Sequence, residues 1–170
     1  NYLPFSKHFH IILAFPNTWY SNLNAKGKFE NMASVTAEVK LMLDPSADPY
    51  AAPPEADPNA APQRFGTKDV SDLNWVNLMN AYSCTECGRC TSECPANITG
   101  KKLSPRKIMM DTRDRLEEVG SILKAHKGAF VEDGKSLFDR ISAEELRACT
   151  SCQACVEACP MELSPLSGLI

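Results

Sequence analysis

The sequence predicts a mostly α-helical fold, with short helices around two cysteine-rich segments and an extended arm ahead of them. Apolar residues recur at steps of three and four along several stretches, and no stretch alternates apolar and polar residues as a half-buried strand does. Two similar phrases, CTECGRCTSECP from Cys84 and CTSCQACVEACP from Cys149, each follow such a helical stretch. Residues 44–64 hold six of the twelve prolines, and this density of proline excludes a continuous helix there.

The composition restricts the class of protein. The chain has 170 residues, 44% of them hydrophobic, and a formal net charge of −3. A negative chain lacks the basic field that non-specific nucleic-acid binding needs, so we expect no nucleic acid among its partners. All eight cysteines fall within the two phrases, whereas a disulfide scaffold distributes its cysteines to join distant loops. Groups of four cysteines instead indicate metal sites in a reducing compartment.

The first segment, residues 1–24, is aromatic and apolar. Its most hydrophobic run, HIILAF, is far shorter than the roughly 20 residues that cross a membrane. The chain begins at Asn1 and not at a methionine, and its first residues are already apolar and aromatic. We therefore expect a fragment of a longer protein, in which this segment can be the end of a membrane part. N-terminal processing of a shorter protein is the alternative.

A short helix and a linker are predicted next. Within residues 25–43, Val35 and Val39 belong to a set of apolar residues at helical steps, and Asn31 is a suitable N-cap. Residues 44–64 are rich in proline and alanine and cannot supply a core, so we expect an extended linker or a wrapping arm.

Residues 65–170 contain the clearest helix signals and are predicted to form one domain. The stretch SDLNWVNLMNAYSC has Asp69 or Ser71 as a candidate N-cap. The stretch LSPRKIMMDTRDRLEEV has Ser104 as N-cap and a proline at its first helical position. A capping box begins at Ser142 in ISAEELRAC. The cysteine phrases start 65 residues apart, which predicts two similar halves around a pseudo-twofold axis, each contributing ligands to a shared core.

The spacing within each phrase distinguishes two kinds of metal site. Structural zinc usually takes two CxxC pairs separated by a dozen or more residues, because each pair makes one knuckle. Three consecutive cysteines at CxxCxxC curl the backbone around a larger object, the [4Fe–4S] cube, which needs one thiolate for each iron. The fourth cysteine is followed by proline and points away, and in bacterial two-cluster ferredoxins of this spacing it ligates the other cluster. The sequence therefore predicts two [4Fe–4S] clusters, with structural zinc as the alternative.

Cross-ligation assigns the eight cysteines to two sets, each with three cysteines from one phrase and the last cysteine of the other. The predicted ligands of the first cluster are Cys84, Cys87, Cys90 and Cys159. Those of the second cluster are Cys149, Cys152, Cys155 and Cys94. Because a cube with four thiolates has no open coordination position, we expect clusters that move electrons and bind no substrate.

The cysteine phrases, together with the stretch CTECGRCTSECPANITGKKLSPRKIMMDTRD, resemble the iron–sulfur subunits of heterodisulfide-reductase-like oxidoreductases. A looser similarity connects them to the iron–sulfur subunits of succinate dehydrogenase and glycerol-3-phosphate dehydrogenase. The resemblance spans residues 65–165 and implies an α-helical ferredoxin fold, with two [4Fe–4S] clusters between short helices and held by the eight cysteines. Many relatives continue into cysteine-rich CCG domains, but this chain has no adjacent Cys–Cys pair. The resemblance therefore does not imply a disulfide-reducing activity for this chain.

The opening stretch LPFSKHFHIIL is similar to the end of the last membrane helix in the cytochrome b subunits of respiratory nitrate reductases. In that family a histidine four residues after a serine ligates a haem, and here His10 follows Ser6 at that spacing. The resemblance implies that His10 ligates haem b in a longer protein, which supplies the second axial ligand. The alternative is an ordinary interfacial or solvated histidine.

These interpretations together predict an electron-transfer protein or subunit. Its two [4Fe–4S] clusters relay electrons between a membrane haem or quinol pool and a soluble oxidoreductase partner, in the cytoplasm or at the cytoplasmic face of the inner membrane. Arg89 and the basic stretch GKKLSPRK form either a docking surface for an acidic redox partner or a solvated face. No acidic pair or nucleophile has a catalytic context, so we expect no catalytic residue in this chain. A zinc-stapled interaction module without a redox role is the alternative.

Overall fold

The computed structural model describes residues 2, 8–21, 23, 33–44 and 66–165, and every regular element within these residues is a helix. The prediction of a mostly α-helical fold is therefore confirmed. The α-helices are α1 (Phe9–Trp19), α2 (Ala33–Leu43), α3 (Trp75–Ser83), α4 (Arg89–Ser92), α5 (Pro95–Ile98), α6 (Pro105–Ala125), α7 (Ala143–Arg147) and α8 (Ala154–Glu157). Short 3-10 helices lie at Val70–Asp72 and Leu137–Asp139.

Helix α2 belongs to a separate unit of the chain, residues 28–66. It lies within residues 25–43, where the sequence predicts a short helix, and its residues Val35 and Val39 are both exposed. The predicted N-cap Asn31 lies outside the described residues, as does the proline-rich segment after residue 44. The predicted domain boundaries stay predictions.

Helix α3 leads directly into the first cysteine phrase. Its N-cap is Asn74, whose side-chain oxygen accepts a hydrogen bond from the Asn77 N–H at 2.8 Å. The sequence indicated Asp69 or Ser71 as the cap, and neither caps this helix. Asp69 instead caps the 3-10 turn that follows it, because its carboxylate accepts from the next N–H at 2.8 Å. The α-helix therefore begins a few residues later than the sequence indicated.

Helix α6 is the longest helix of the domain and supplies much of its core. Ser104 caps it by accepting from the Lys107 N–H, and Pro105 occupies the first position, as the sequence predicts. One face of α6 is buried at steps of three and four residues, through Ile108, Met109, Thr112 and Val119. The main hydrophobic cluster contains residues from both halves of the domain: Val70, Cys94, Ala96, Leu103, Ile108, Val119, Leu137 and Ile141.

Arg115 places a buried positive charge on the same helix. Its side chain is 1% exposed and lies 2.6 Å from both Asp69 and Asp133. It also donates to the Lys135 carbonyl at 2.9 Å. Its hydrogen bonds to Asp69 and Asp133 raise the pKa of Arg115, and the guanidinium in turn holds the pKa of Asp133 well below its usual range. The network attaches two loops to α6, one before α3 and one before Leu137–Asp139.

Helix α7 precedes the second cysteine phrase and is joined to α6 by Lys107. The predicted capping box is present, since the Ser142 N–H donates to the Glu145 carboxylate at 2.8 Å. Lys107 lies 3.0 Å from Glu145 and 2.8 Å from Asp111. Burial alone would raise the pKa of Glu145, but the Ser142 N–H and Lys107 lower it below its usual value. These contacts fix the position at which the second phrase begins.

Helix α1 packs against α3, in the same unit as the cysteine phrases. Phe9 meets Tyr82 edge-to-face at 6.2 Å between ring centroids, and Tyr20 meets Trp75 in the same way at 4.7 Å. None of the helices in the described ranges combines the length and hydrophobicity that crossing a bilayer requires. The outer face of α1 exposes four large apolar side chains, those of Ile11, Ile12, Phe15 and Trp19.

Candidate metal centres

Each cysteine phrase folds into the same loop. In the first phrase Glu86 and Gly88 have positive φ angles of 57° and 85°, and the one-turn helix α4 follows. In the second, Ser151 and Gln153 have φ angles of 53° and 63°, and the one-turn helix α8 follows. The left-handed residues lie at matching positions of the two phrases. The sequence repeat is therefore also a repeat of backbone conformation.

Two of these left-handed residues, Glu86 and Ser151, direct their backbone N–H groups toward a cysteine sulfur. Alternating right- and left-handed residues form concave nests of N–H groups that hold anions, including iron–sulfur clusters. The Ser151 N–H donates to the Cys149 sulfur at 3.4 Å. A backbone hydrogen bond from Glu86 likewise favours the Cys84 thiolate, although burial, the larger effect, raises the pKa of Cys84. A non-glycine residue in this conformation costs about 1–3 kcal/mol and typically marks a functional site.

The two loops diverge after their fourth cysteine. Pro95 begins the one-turn helix α5, because proline favours the first position of a helix. Pro160 instead lies in a turn in which Glu162 has a φ angle of 51°. The Met161 carbonyl in this turn accepts a hydrogen bond from the Asn17 amide of α1 at 3.0 Å. The opening segment of the chain is thereby attached to the end of the second phrase.

The structure gathers the eight cysteines into two groups of four. One cavity, here called site 1, is lined by Cys84, Cys87, Cys90 and Cys159. A second cavity, here called site 2, is lined by Cys94, Cys149, Cys152 and Cys155. Each site thus combines three cysteines of one phrase with the fourth cysteine of the other. This is the same grouping that cross-ligation predicts, and the ligand roles themselves stay a prediction.

Sites 1 and 2 share a wall. Helices α4 and α8 pack against each other, and Cys155 and Val156 of α8 contact Cys90 of α4. Burial, together with the neighbouring cysteines Cys149 and Cys90, raises the pKa of Cys155 to about 12. Burial also raises the pKa of Cys90. These thiols keep their protons until a metal displaces them, so metal binding at either site releases protons.

The donor sets of the two cavities fit iron–sulfur clusters. Each site brings together four cysteines, three of them from one CxxCxxC run. A [4Fe–4S] cluster takes one thiolate for each iron, so donor type and donor number agree with one cluster in each site.

The other residues singled out from the sequence lie around these cavities or away from them. Arg106, from the basic stretch, lines site 1. Arg89 is exposed at the start of α4. His10 lies in the first turn of α1 and is not among the residues that line either site. Its role as a haem ligand stays a prediction.

Sequence reasoning missed two buried polar residues that hold the sites in place. Arg115 had a readable signal, because it continues the helical steps of Ile108, Thr112 and Val119 and so belongs to the buried face of α6. Asn17 had a weaker signal, as a polar amide within the apolar run of α1. Neither signal identifies the partner, which comes from a distant part of the chain.

We expect Asn17→Leu to loosen the turn after the second phrase. Asn17 is 1% exposed, and its replacement removes the hydrogen bond to the Met161 carbonyl, an interaction whose net contribution is typically about 0.5–1.5 kcal/mol. The variant should lose its iron–sulfur absorbance at a lower urea concentration than wild type. Thr18→Val, a change on the exposed side of the same helix, is the control and should match wild type. Equal midpoints for Asn17→Leu and Thr18→Val would show that the contact has no stabilising role.

Comparison with known proteins supports the character of these sites. Residues 83–163 match the family described as 4Fe-4S dicluster domain. The chain is 28% identical to the probable iron-sulfur-binding oxidoreductase FadF of Bacillus subtilis, over 94% of this chain and 24% of that protein. It is 31% identical to the EtfAB:quinone oxidoreductase of Syntrophomonas wolfei, over 64% of this chain and 18% of that protein.

A further relative confirms the resemblance predicted from the cysteine phrases. The chain is 31% identical to one subunit of the dihydromethanophenazine:CoB–CoM heterodisulfide reductase of Methanosarcina acetivorans, over 54% of this chain and 22% of that protein. The chain spans about a quarter or less of the length of each of these three relatives. No solved structure matches the chain.

Proposed function

We propose that this chain, whose residues 83–163 are a 4Fe-4S dicluster domain, is the part of a larger oxidoreductase that relays electrons between a membrane redox pool and a soluble partner. The observation that supports it most directly is the pair of four-cysteine cavities separated by a single wall. When bound there, two [4Fe–4S] clusters supply one-electron transfer over a short distance. The iron–sulfur oxidoreductases among its relatives agree with this function.

In this proposal each site has one exposed cysteine at its outer edge and one cysteine at the wall that it shares with the other site. Cys87 and Cys152 are the exposed cysteines of sites 1 and 2, so they mark the edges that face redox partners. Cys90 and Cys155 lie at the shared wall, where α4 packs against α8 between the sites. The proposed ligands of site 1 are Cys84, Cys87, Cys90 and Cys159. Those of site 2 are Cys94, Cys149, Cys152 and Cys155.

The partners are proposed from the relatives and from the surface of α1. The name of the EtfAB:quinone oxidoreductase places that protein between EtfAB and a quinone. We assign this chain an equivalent position, between a membrane quinol or haem and a soluble redox protein, at the cytoplasmic face of the membrane. The exposed apolar face of α1 agrees with a location beside lipid or beside a membrane protein. In a longer protein, His10 would ligate a haem b within that membrane part.

Iron and acid-labile sulfide analysis of the anaerobically purified chain tests the proposal. We expect about eight iron and eight sulfide per chain, because each [4Fe–4S] cluster brings four of each. After reduction with dithionite, the EPR spectrum should show two paramagnetic clusters that interact magnetically, since the sites share a wall. One or two zinc ions per chain without sulfide would contradict electron transfer and support the zinc-stapled interaction module.

A further inference from the structure

We infer that Arg106 makes site 1 the electron-accepting site of the pair, with a higher reduction potential than site 2. This inference rests on the proposed function, because it concerns the clusters proposed for the two sites. It follows from a difference in charge and burial between two sites whose cysteine loops have the same backbone conformation.

The cysteine phrases themselves do not distinguish the sites by charge. In the first phrase Glu86 and Glu93 oppose Arg89, which leaves one net negative charge. In the second phrase Glu157 alone gives one negative charge. The net charges of the phrases therefore do not by themselves predict an electrostatic difference between the sites, and the residues that line each cavity must be compared.

Helix α6 adds a positive charge to site 1. Arg106 lines the cavity, and a Cβ placed on Gly88 would lie 3.9 Å from the Arg106 Nη1. No ion pair joins Arg106 to another residue within the described ranges, so its charge is not compensated there. Glu86, the other charged residue of this lining, is paired with Arg113 at 2.7 Å. Arg106 and Glu86 carry opposite charges, so the lining as a whole is neutral. Arg113 pairs with Glu86, however, and leaves Arg106 as the charged group of the lining that has no ion pair to a described residue.

Site 2 offers its cluster an uncharged and more buried environment. Cys94 and Cys155 are 7% and 5% exposed, whereas none of the four cysteines of site 1 is fully buried. The residues that line site 2 besides its cysteines are all uncharged, namely Pro95, Ala96, Leu103, Pro105 and Thr150.

Charge and burial act in the same direction on the reduction potentials. One-electron reduction adds a negative charge to a cluster that four thiolates already make negative. A guanidinium beside the cavity stabilises this charge, and an apolar surrounding destabilises it. An electron that moves from site 2 to site 1 oxidises one cluster by one electron and reduces the other by one. The oxidation and the reduction therefore balance. The electron itself comes from a reduced redox partner that donates to site 2.

A redox titration followed by EPR, on the full chain purified anaerobically with its clusters, tests the role of Arg106. Wild type should show two one-electron steps at different potentials. Arg106→Gln should lower the higher potential and leave the lower one unchanged. We expect the equilibrium constant for sharing an electron between the sites to fall about tenfold, which corresponds to about 59 mV. Arg106→Lys keeps the positive charge and should retain most of the difference.

Lys124→Gln is the matched control, because it removes a positive charge from the other end of α6. The two positions are about 27 Å apart along the helix, well beyond a Debye length of about 8–10 Å. Both potentials should stay unchanged in this variant. A higher potential that is insensitive to Arg106→Gln, or a shift confined to the lower potential, would overturn the inference. Iron and sulfide are measured on the same samples, and their absence would contradict the proposed function itself.

Discussion

Cys159→Ser is expected to remove the cluster of site 1 and to leave the cluster of site 2 in place. Cys159 belongs to the second phrase in sequence, but the structure places it with the first three cysteines of the first phrase. Serine has nearly the same shape as cysteine and is a poor ligand for iron, so site 1 keeps only three effective ligands. Iron and sulfide should each fall from about eight to about four per chain.

The identity of the lost cluster distinguishes cross-ligation from local ligation. Cys159→Ser should leave the same EPR spectrum and the same remaining reduction potential as Cys87→Ser. Cys94→Ser should instead match Cys152→Ser, because both cysteines line site 2. If Cys159→Ser matched Cys152→Ser, each phrase would fill its own site, and the grouping of cysteines in the structure would not be the ligand grouping.

Cross-ligation also explains how the clusters contribute to the fold. Each cluster would join the α4 loop to the α8 loop, so the two halves of the domain are connected twice through metal. The ligands are far apart along the chain, and metal binding therefore contributes free energy to folding as well as to redox function. When one cluster is lost, the other cluster should still connect the two halves of the domain.

Much of this architecture was readable because its determinants are local. Ser104 and Ser142 cap helices through the next few residues of the chain, and the periodic face of α6 depends only on residues within that helix. The cysteine spacing is equally local and predicts the shape of each loop. The cap of α3 was missed because Asp69 and Asn74 both have capping side chains, and sequence alone does not show that a 3-10 turn separates them.

The rest depends on contacts between distant segments, which a single sequence does not specify. Asn17 donates a hydrogen bond to Met161, which is distant in sequence. Arg115 forms ion pairs with Asp69 and Asp133, which lie in two different loops. The asymmetry of the two sites has the same origin. The cysteine phrases have equal net charge, and the positive charge proposed to distinguish site 1 is Arg106, on a helix between them.

Arg115→Met is expected to be the most destabilising substitution outside the cysteines. Methionine fills a similar volume but leaves the carboxylates of Asp69 and Asp133 without their common partner. Breaking a buried ion pair by removing one partner typically costs about 3–5 kcal/mol. With a urea dependence of about 1–3 kcal/mol per molar, the midpoint of the circular-dichroism transition should fall by roughly 2 M under anaerobic conditions.

Arg113→Met is the matched control for this prediction, because it makes the same substitution on the same helix at a more exposed ion pair. The Arg113 and Glu86 side chains are 21% and 24% exposed, so water screens this pair more than it screens Arg115, and the loss of Arg113 should cost less stability. A second substitution, Asp133→Asn, should recover part of the stability lost in Arg115→Met, since it removes a carboxylate that has lost its partner. If Arg115→Met were no worse than Arg113→Met, the buried network would be incidental to the fold, and α6 would hold the two loops by its apolar contacts alone.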